Sequence, residues 1–393
     1  MNNMPQVFDQ IKSLEFRTQY AVRFSEKDPI LAAYIRSDDF LTDVVRLEYG
    51  DHFFTPPELV LVPKGTDHLR RTYRYAKKVR AILGCMNESI HMYDDIFSSC
   101  SYSHVKNKGF KYCRRAVQDN ADRKDLYACY MDISRFGESL DRGLLNQCID
   151  EYLTEDAHLN SFMHTLVNDS RYIDDGKLCL SDKVVSVGNP LESFWNSLYL
   201  TGFDREIEKR AAAYYRYCDD ILFFAKDAAS LSALKQFALD YLNGLKLKVN
   251  IPKIQTAAPG ESFSFLQCRY HGSLVEKDFV TIPAKKLINE MLVRALKLKR
   301  KYSLSSIRAM EVFLTSLGLF HQDYLYEIYN NIPDADVIKV IDSYLQDALR
   351  QVGSGKKTGA KYRIRYSDMK KAGYFSLVND YYKYVKLKKS ARK

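Results

Sequence analysis

Three aspartates stand where short apolar runs end. Asp132 follows Tyr127-Ala128-Cys129-Tyr130-Met131, and Asp219 and Asp220 sit between Tyr214-Tyr215-Arg216-Tyr217-Cys218 and Ile221-Leu222-Phe223-Phe224. Carboxylates held side by side between apolar strands are costly to bury unless a cation offsets their repulsion. Oxygen donors of this kind suit Mg²⁺, a hard octahedral ion that keeps positions open for substrate phosphates. Two such ions about 3.5–4 Å apart activate a hydroxyl and stabilise a departing pyrophosphate in an in-line displacement. A lone Asp-Asp pair is more often a solvent-facing turn. The chain carries a second one, Tyr172-Ile173-Asp174-Asp175, followed by Gly176-Lys177 and preceded by Asn168-Asp169-Ser170. No apolar run frames it on the N-terminal side, so the sequence predicts a loop there.

The elements that must carry these residues follow from the pattern. The 393 residues are 46% hydrophobic and 27% charged, enough for two or three packed units and against wholesale disorder. Residues 1 to about 60 read as helical up to Pro56-Pro57, then Leu59 to Val62 as a strand before a Pro63-Lys64-Gly65 turn. Residues 75–125 are mixed, with a basic, glycine-containing loop at Lys106 to Lys111. Strands are expected over Tyr127 to Ile133, Tyr214 to Phe224 (two, joined by the acidic turn) and Phe263 to Tyr270. Helices are expected over Ser193 to Lys209 and Leu231 to Leu242, and from about 284 onward, with breaks at Pro333 and Gly353-Ser354-Gly355.

Several classes are excluded. The longest apolar runs, such as Ile221 to Ala225, fall far short of the roughly 18–20 residues that span a bilayer. Met1 to Lys12 has no charged head followed by an apolar stretch, so a cytoplasmic protein without a membrane partner is expected. The eight cysteines are scattered, against both closely spaced zinc ligands and a disulfide scaffold. Buried free thiols are the expectation.

The net charge of +10 is concentrated at one end. From Gly353 to Lys393 there are 13 Lys/Arg, including Lys356, Lys357, Arg363 and Arg365, against Asp368 and Asp380. Tyr362, Tyr366, Tyr374 and Tyr381 interleave with them. Basic groups neutralise phosphates and aromatic faces stack bases, so the tail reads as a nucleic-acid surface, or else as a solvated basic end. A second basic stretch carries Lys285, Lys286, Arg294, Lys297, Lys299, Arg300 and Lys301, with Leu287, Met291, Ala295 and Leu298 at helical spacing. It predicts an amphipathic helix with a cationic face.

Tyr217-Cys218-Asp219-Asp220 resembles the hallmark of reverse transcriptases, and its surroundings match in order. Asp132-Ile133-Ser134-Arg135-Phe136 looks like the first palm motif, and Gly188-Asn189-Pro190-Leu191 with the helix to Asp204 looks like the second. Asn250 to Lys253 resembles the Asn-x-x-Lys motif, and Phe265-Leu266-Gln267-Cys268 the primer-grip hairpin. Upstream, Val62-Pro63-Lys64-Gly65 with Arg70-Arg71, then Lys106 to Val117, resemble two fingers motifs. The resemblance covers about residues 60–272. It is similar to the bacterial defence-associated and abortive-infection-like group, above all defence-associated reverse transcriptases of type 2.

The resemblance implies an α+β right-hand polymerase. Its parts would be an N-terminal helical extension (1–60), fingers (61–125), a ferredoxin-like palm (126–272), and a helical thumb with a C-terminal RNA-binding tail (273–393). It implies RNA-directed DNA synthesis in antiphage defence, with dNTPs as substrates and cDNA as product. A structured non-coding RNA would be template and scaffold. Asp132, Asp219 and Asp220 would hold two Mg²⁺ ions, for which Mn²⁺ can substitute, and Lys253 would protonate the leaving pyrophosphate. Lys64 and Arg70 or Arg71 would bind the triphosphate, Phe136 would pack beneath the nucleotide, and Gly188 would let backbone approach it. The basic helix would track the duplex backbone.

Some positions depart from the pattern. Gly137 stands where relatives place a bulky aromatic sugar gate, which predicts weakened discrimination against ribonucleotides. Val187 replaces a common Gln, Glu192 a common Ser, and Gln267 the usual Gly, while Asn196 lies one position early with Ser197 in its slot. Two other readings stay open: an RNA-dependent RNA polymerase sharing the palm, and an RNA-binding scaffold that no longer catalyses.

Overall fold

The computed structural model describes residues 6–26, 28–64, 68–119, 125–266, 268–271, 274–275, 277–317 and 335–390. The expected break at Pro333 and the substituted Gln267 lie outside them. The chain forms two compact units, Met1–Cys113 with Asp125–Pro259, and Arg114–Lys124 with Gly260–Lys393.

The first unit opens with helices Val7–Lys12, Leu14–Ala21, Pro29–Arg36 and Asp38–Glu48. Asp28 and Ser37 cap the third and fourth by accepting from Leu31 N and Phe40 N. Strands β1 (Glu58–Lys64) and β2 (His68–Arg74) then form an antiparallel ribbon, and β3 (Tyr127–Asp132) begins the palm. A hairpin of β4 (Arg171–Asp174) and β5 (Lys177–Leu180) joins the ribbon in one sheet, ordered β2-β1-β4-β5.

This hairpin corrects the loop expected at Asp174-Asp175. Asp174 pairs with Lys177, and Asp175 and Gly176 turn the chain at φ +48° and +76°. Asp-Gly with both residues left-handed is the two-residue turn that suits strand twist. The turn chemistry outweighed the missing apolar flank.

The second sheet of this unit contains β6 (Ala213–Tyr217), β7 (Asp220–Ala225) and β8 (Gln255–Ala257) in the order β6-β7-β3-β8, all antiparallel. Helices including Arg142–Tyr152, Ala157–Asn168, Glu192–Tyr199 and Thr201–Arg210 connect β3 to β6, and Ala228–Gly244 returns β7 to β8. Numbered along the palm, the strands lie 2-3-1-4, the ferredoxin-like arrangement. The fold is α+β, and this sheet has the topology expected for the palm. Val7 and Phe8 at one end and Leu242 and Leu247 at the other belong to one core, which also buries Trp195, the sole tryptophan.

The second unit holds the small sheet β9 (Ser262–Phe265), β10 (Cys268–His271) and β11 (Leu274–Val275), so the grip-like hairpin belongs here. Its helices include Lys277–Lys301, Ser306–Leu317, Ala335–Ser354 and Leu377–Ser390 around a separate core containing Phe313, Ile338 and Leu349. The helix breaks within Gly353-Ser354-Gly355, as expected. The helix runs through Gly353, packed against Ile364 and Met310, and ends where Gly355 turns left-handed at φ +71°. All eight cysteines are free; Cys85, Cys113, Cys129 and Cys268 are buried and the others partly so.

Candidate active site

The palm register brings the three aspartates to one sheet end. β3 and β7 pair with Asp132 opposite Asp220, so the last residue of one strand meets the first of the other. The β6–β7 hairpin pairs Tyr217 with Asp220, leaving Cys218 and Asp219 as its tip. Cys218 turns at φ +53°, a conformation that strains a residue with a Cβ. Two bonds hold the tip there: Ile133 N donates to Asp219 O at 3.1 Å, and Arg216 Nη1 to Cys218 O at 3.3 Å.

Arg216 is itself fully buried, ion-paired with the equally buried Asp204. Tyr214 Oη donates to Asp204 Oδ1 at 2.6 Å, and Arg216 also donates to Ser101 Oγ and Ser103 Oγ. From sequence, Asp204 is expected only as the end of a helix. A charged residue alternating among aromatics on a strand was the available signal.

Each carboxylate has its own environment. Asp132 Oδ2 accepts from Lys253 Nζ at 2.9 Å and from Asn250 Nδ2 at 3.3 Å. Lys253 reaches it from a one-turn helix, Ile251–Lys253, and Asn250 N also donates to Asp132 O. Asp220 Oδ1 accepts from Tyr130 Oη at 2.6 Å. Burial pushes the Asp220 carboxyl up to about 6; the charges of Asp219 and Asp132 add to this, and the Tyr130 bond and Lys253 oppose it. Tyr130 was missed, although it stands two residues before Asp132 and so faces the same side of β3. The oxygens of the three aspartates are not all drawn within 4.8 Å of one another. Three carboxylates form a hard-oxygen donor set of the kind that fits Mg²⁺.

Beside the palm, the residues expected on the nucleotide separate into two groups. Neighbours on a strand face opposite sides: Arg70 Nη2 lies 3.4 Å from Glu192 Oε1, whereas Arg71 Nη2 donates to Tyr172 Oη at 3.2 Å. Only Arg70 joins Gly137 and Gly188 around Glu192. Lys64 ends β1, its backbone paired with His68. Gly188 sits at φ +92°, and a Cβ there would lie 2.6 Å from Tyr73 O, so the backbone it admits is β2 of its own chain. Tyr73 N donates to Val187 O at 2.8 Å, closing that contact.

The space beside Gly137 is not open, which corrects one premise. Phe136 is buried in the core, and a Cβ on residue 137 would lie 2.7 Å from Glu192 Oε1 and 3.1 Å from Val187 Cγ2. Glu192 Oε2 accepts from Gly188 N at 2.9 Å. Burial raises the Glu192 carboxyl, the Gly188 bond and Arg70 lower it, and the Asp219 charge raises it. The Glu192 carboxylate fills the space beside Gly137.

In the second unit, Lys286, Arg294, Lys297, Arg300 and Lys301 are exposed on helix Lys277–Lys301. Lys285 is half-buried, its ammonium 5.7 Å from the Tyr344 ring centre. Lys299 points inward, donating to Val352 O at 3.0 Å and also to Gly353 O. Lys356, Lys357, Arg363 and Arg365 are exposed. Among the described residues, no helix is long and apolar enough to cross a membrane.

No family model matches the chain, and no curated protein matches it. Similar solved structures include three of telomerase from Candida tropicalis. The apo enzyme is 11% identical, with 83% of this chain aligned to 63% of that one and a TM-score of 0.48. The enzyme in complex with a TWJ fragment of telomeric RNA is 14% identical, with coverages of 81% and 61% and a TM-score of 0.46. The apo form truncated from the C-terminal domain is also 14% identical, with coverages of 57% and 55% and a TM-score of 0.45. The chain spans less than two thirds of each.

Proposed function

We propose that the chain is an RNA-directed DNA polymerase that adds dNTPs to a 3′-hydroxyl end. The observation that carries this is the register placing Asp132 opposite Asp220, with Asp219 at the hairpin tip, on a ferredoxin-like palm. Asp132, Asp219 and Asp220 would hold two Mg²⁺ ions, or Mn²⁺ in their place. When bound, the ions supply Lewis-acid activation of the attacking hydroxyl and charge stabilisation on the leaving pyrophosphate. Arg70 offers a charged donor for the triphosphate, and Lys253 an ammonium able to give up a proton. The exposed bases of the second unit suit phosphate contacts, which position a duplex without reading its sequence.

A dedicated structured non-coding RNA as template, cDNA as product and a role in antiphage defence of the type 2 kind extend this proposal. The motif resemblance and the basic second unit support them. The first test is primer extension on an RNA template with dNTPs and Mg²⁺. Asp219→Ala with Asp220→Ala should abolish synthesis, while Asp174→Ala with Asp175→Ala should preserve it. Synthesis by the first pair, or none by the wild type, overturns the reading. Sequencing the RNA and DNA that co-purify from the native host then tests the dedicated template.

A further inference from the structure

We infer that His91, Asp94 and His104 form a binding site for one Zn²⁺ ion, in the first unit and apart from the palm aspartates. The short 3₁₀ segment Ile90–Ile96 places His91 and Asp94 three residues apart, on one side of its turn. His104 comes from the following loop, held at φ +68°, a left-handed conformation uncommon for a residue with a Cβ. One donor atom from each residue lies within 4.8 Å of the other two.

The surroundings orient these donors. His104 Nδ1 is engaged by Ser193 Oγ at 3.2 Å, while its Nε2 is buried without a hydrogen-bond partner. A buried ring nitrogen with nothing to bond is unfavourable, and a metal ion relieves it. Asp94 Oδ2 accepts from Lys106 N at 2.6 Å, and Asp94 Oδ1 lies 3.0 Å from His91 Nδ1. Phe97 and Phe194 meet the His104 ring edge-on, with centroids 5.7 and 5.2 Å away. Outer hydrogen bonds and an apolar shell of this kind fix ligand direction around metals.

Two imidazoles and a carboxylate favour Zn²⁺ over Mg²⁺, which prefers oxygen alone. The His91 and His104 rings stack at 4.6 Å and 17°, so binding requires them to tilt. Tetrahedral Zn²⁺ needs donors about 3.3 Å apart, for Zn–N bonds of about 2.0–2.1 Å. Three protein donors leave a fourth position for water. The ion would staple the 90–96 turn and the His104 loop to each other, next to the helix that carries Glu192.

The test uses the full chain, stripped with chelator, reloaded with Zn²⁺ under excess Mg²⁺, desalted and assayed for metal. The wild type should retain about one Zn²⁺, as should the Asp219→Ala/Asp220→Ala variant. His104→Ala should weaken binding by well over tenfold and Ser193→Ala by about tenfold, the range seen when outer partners are lost. X-ray absorption on the loaded wild type should show imidazole scatterers and no sulfur shell near about 2.3 Å. That spectrum decides the matter even where His104→Ala fails to fold. Absence of retained Zn²⁺, undiminished binding in His104→Ala, or a sulfur shell overturns the assignment.

Discussion

Lys253 Nζ lies 2.9 Å from Asp132 Oδ2, an oxygen that Asn250 also reaches. The lysine side chain is 57% exposed and the aspartate 13%, so the ammonium reaches from solvent onto a mostly buried carboxylate. A half-exposed pair adds little to stability. Its consequence should be chemical. Lys253→Met removes a proton donor and also a cation that competes for Asp132. The expected result is a kcat lower by about 10²–10⁴-fold at saturating Mg²⁺, with the half-saturating Mg²⁺ concentration shifted downward. A metal titration of single-turnover extension reads both. If neither moves, Lys253 is a surface partner only.

Glu192 offers a second prediction. Its carboxylate occupies the space beside Gly137 and is fixed there by Gly188 N–H and Arg70. Discrimination between dNTPs and rNTPs is therefore expected to run through this side chain. Glu192→Ala should open the space and lower the dNTP preference in kcat/KM by about tenfold or more, worth about 1.4 kcal/mol. Gly137→Ala should act on the same quantity, since its Cβ displaces the carboxylate. Competition assays with matched nucleotide pairs measure the ratio. Equal ratios in wild type and Glu192→Ala would remove Glu192 from sugar selection.

The buried Arg216–Asp204 pair predicts a change in stability. Both side chains are fully inaccessible, and the arginine also ties Ser101, Ser103 and the Cys218 carbonyl together. Removing one partner strands the other charge away from water, at a cost of about 3–5 kcal/mol. Asp204→Asn should show that loss in denaturant unfolding, and Arg216→Met a similar one. A change below about 1 kcal/mol would mean that water enters and rescues the stranded group.

The palm was readable because its signals are local and periodic. Strands that end in aspartate, and the turn between Tyr217 and Asp220, are written in consecutive residues. The Asp174–Asp175 hairpin is equally local, but its Asp-Gly turn lacks the apolar N-terminal flank that marks a strand. What stayed hidden depends on distant chain. Glu192 meets Gly137 across 55 positions, Arg216 meets Ser101 across 115, and no periodicity reports such approaches. Arg70 and Arg71 were interchangeable until strand alternation sent one to Glu192 and the other to Tyr172.

Tyr130 and Asp220 give the last prediction, on pH. Burial and the neighbouring Asp219 and Asp132 charges hold the Asp220 carboxyl at about 6 in the folded protein, against about 3.9 in an unfolded chain. The folded state thus binds the proton more tightly between those values. Stability from this group is fully present below about pH 4 and falls as pH rises through about 6, by on the order of 2–3 kcal/mol. In chelator, Asp220→Asn should lose this decline, so that its advantage over wild type grows from pH 4 to 6 and then levels. Tyr130→Phe removes a hydrogen bond that favours the ionised form, so the decline should extend to higher pH. Denaturant unfolding across that range separates the cases: parallel curves for wild type and Asp220→Asn would place the carboxylate in ordinary solvent.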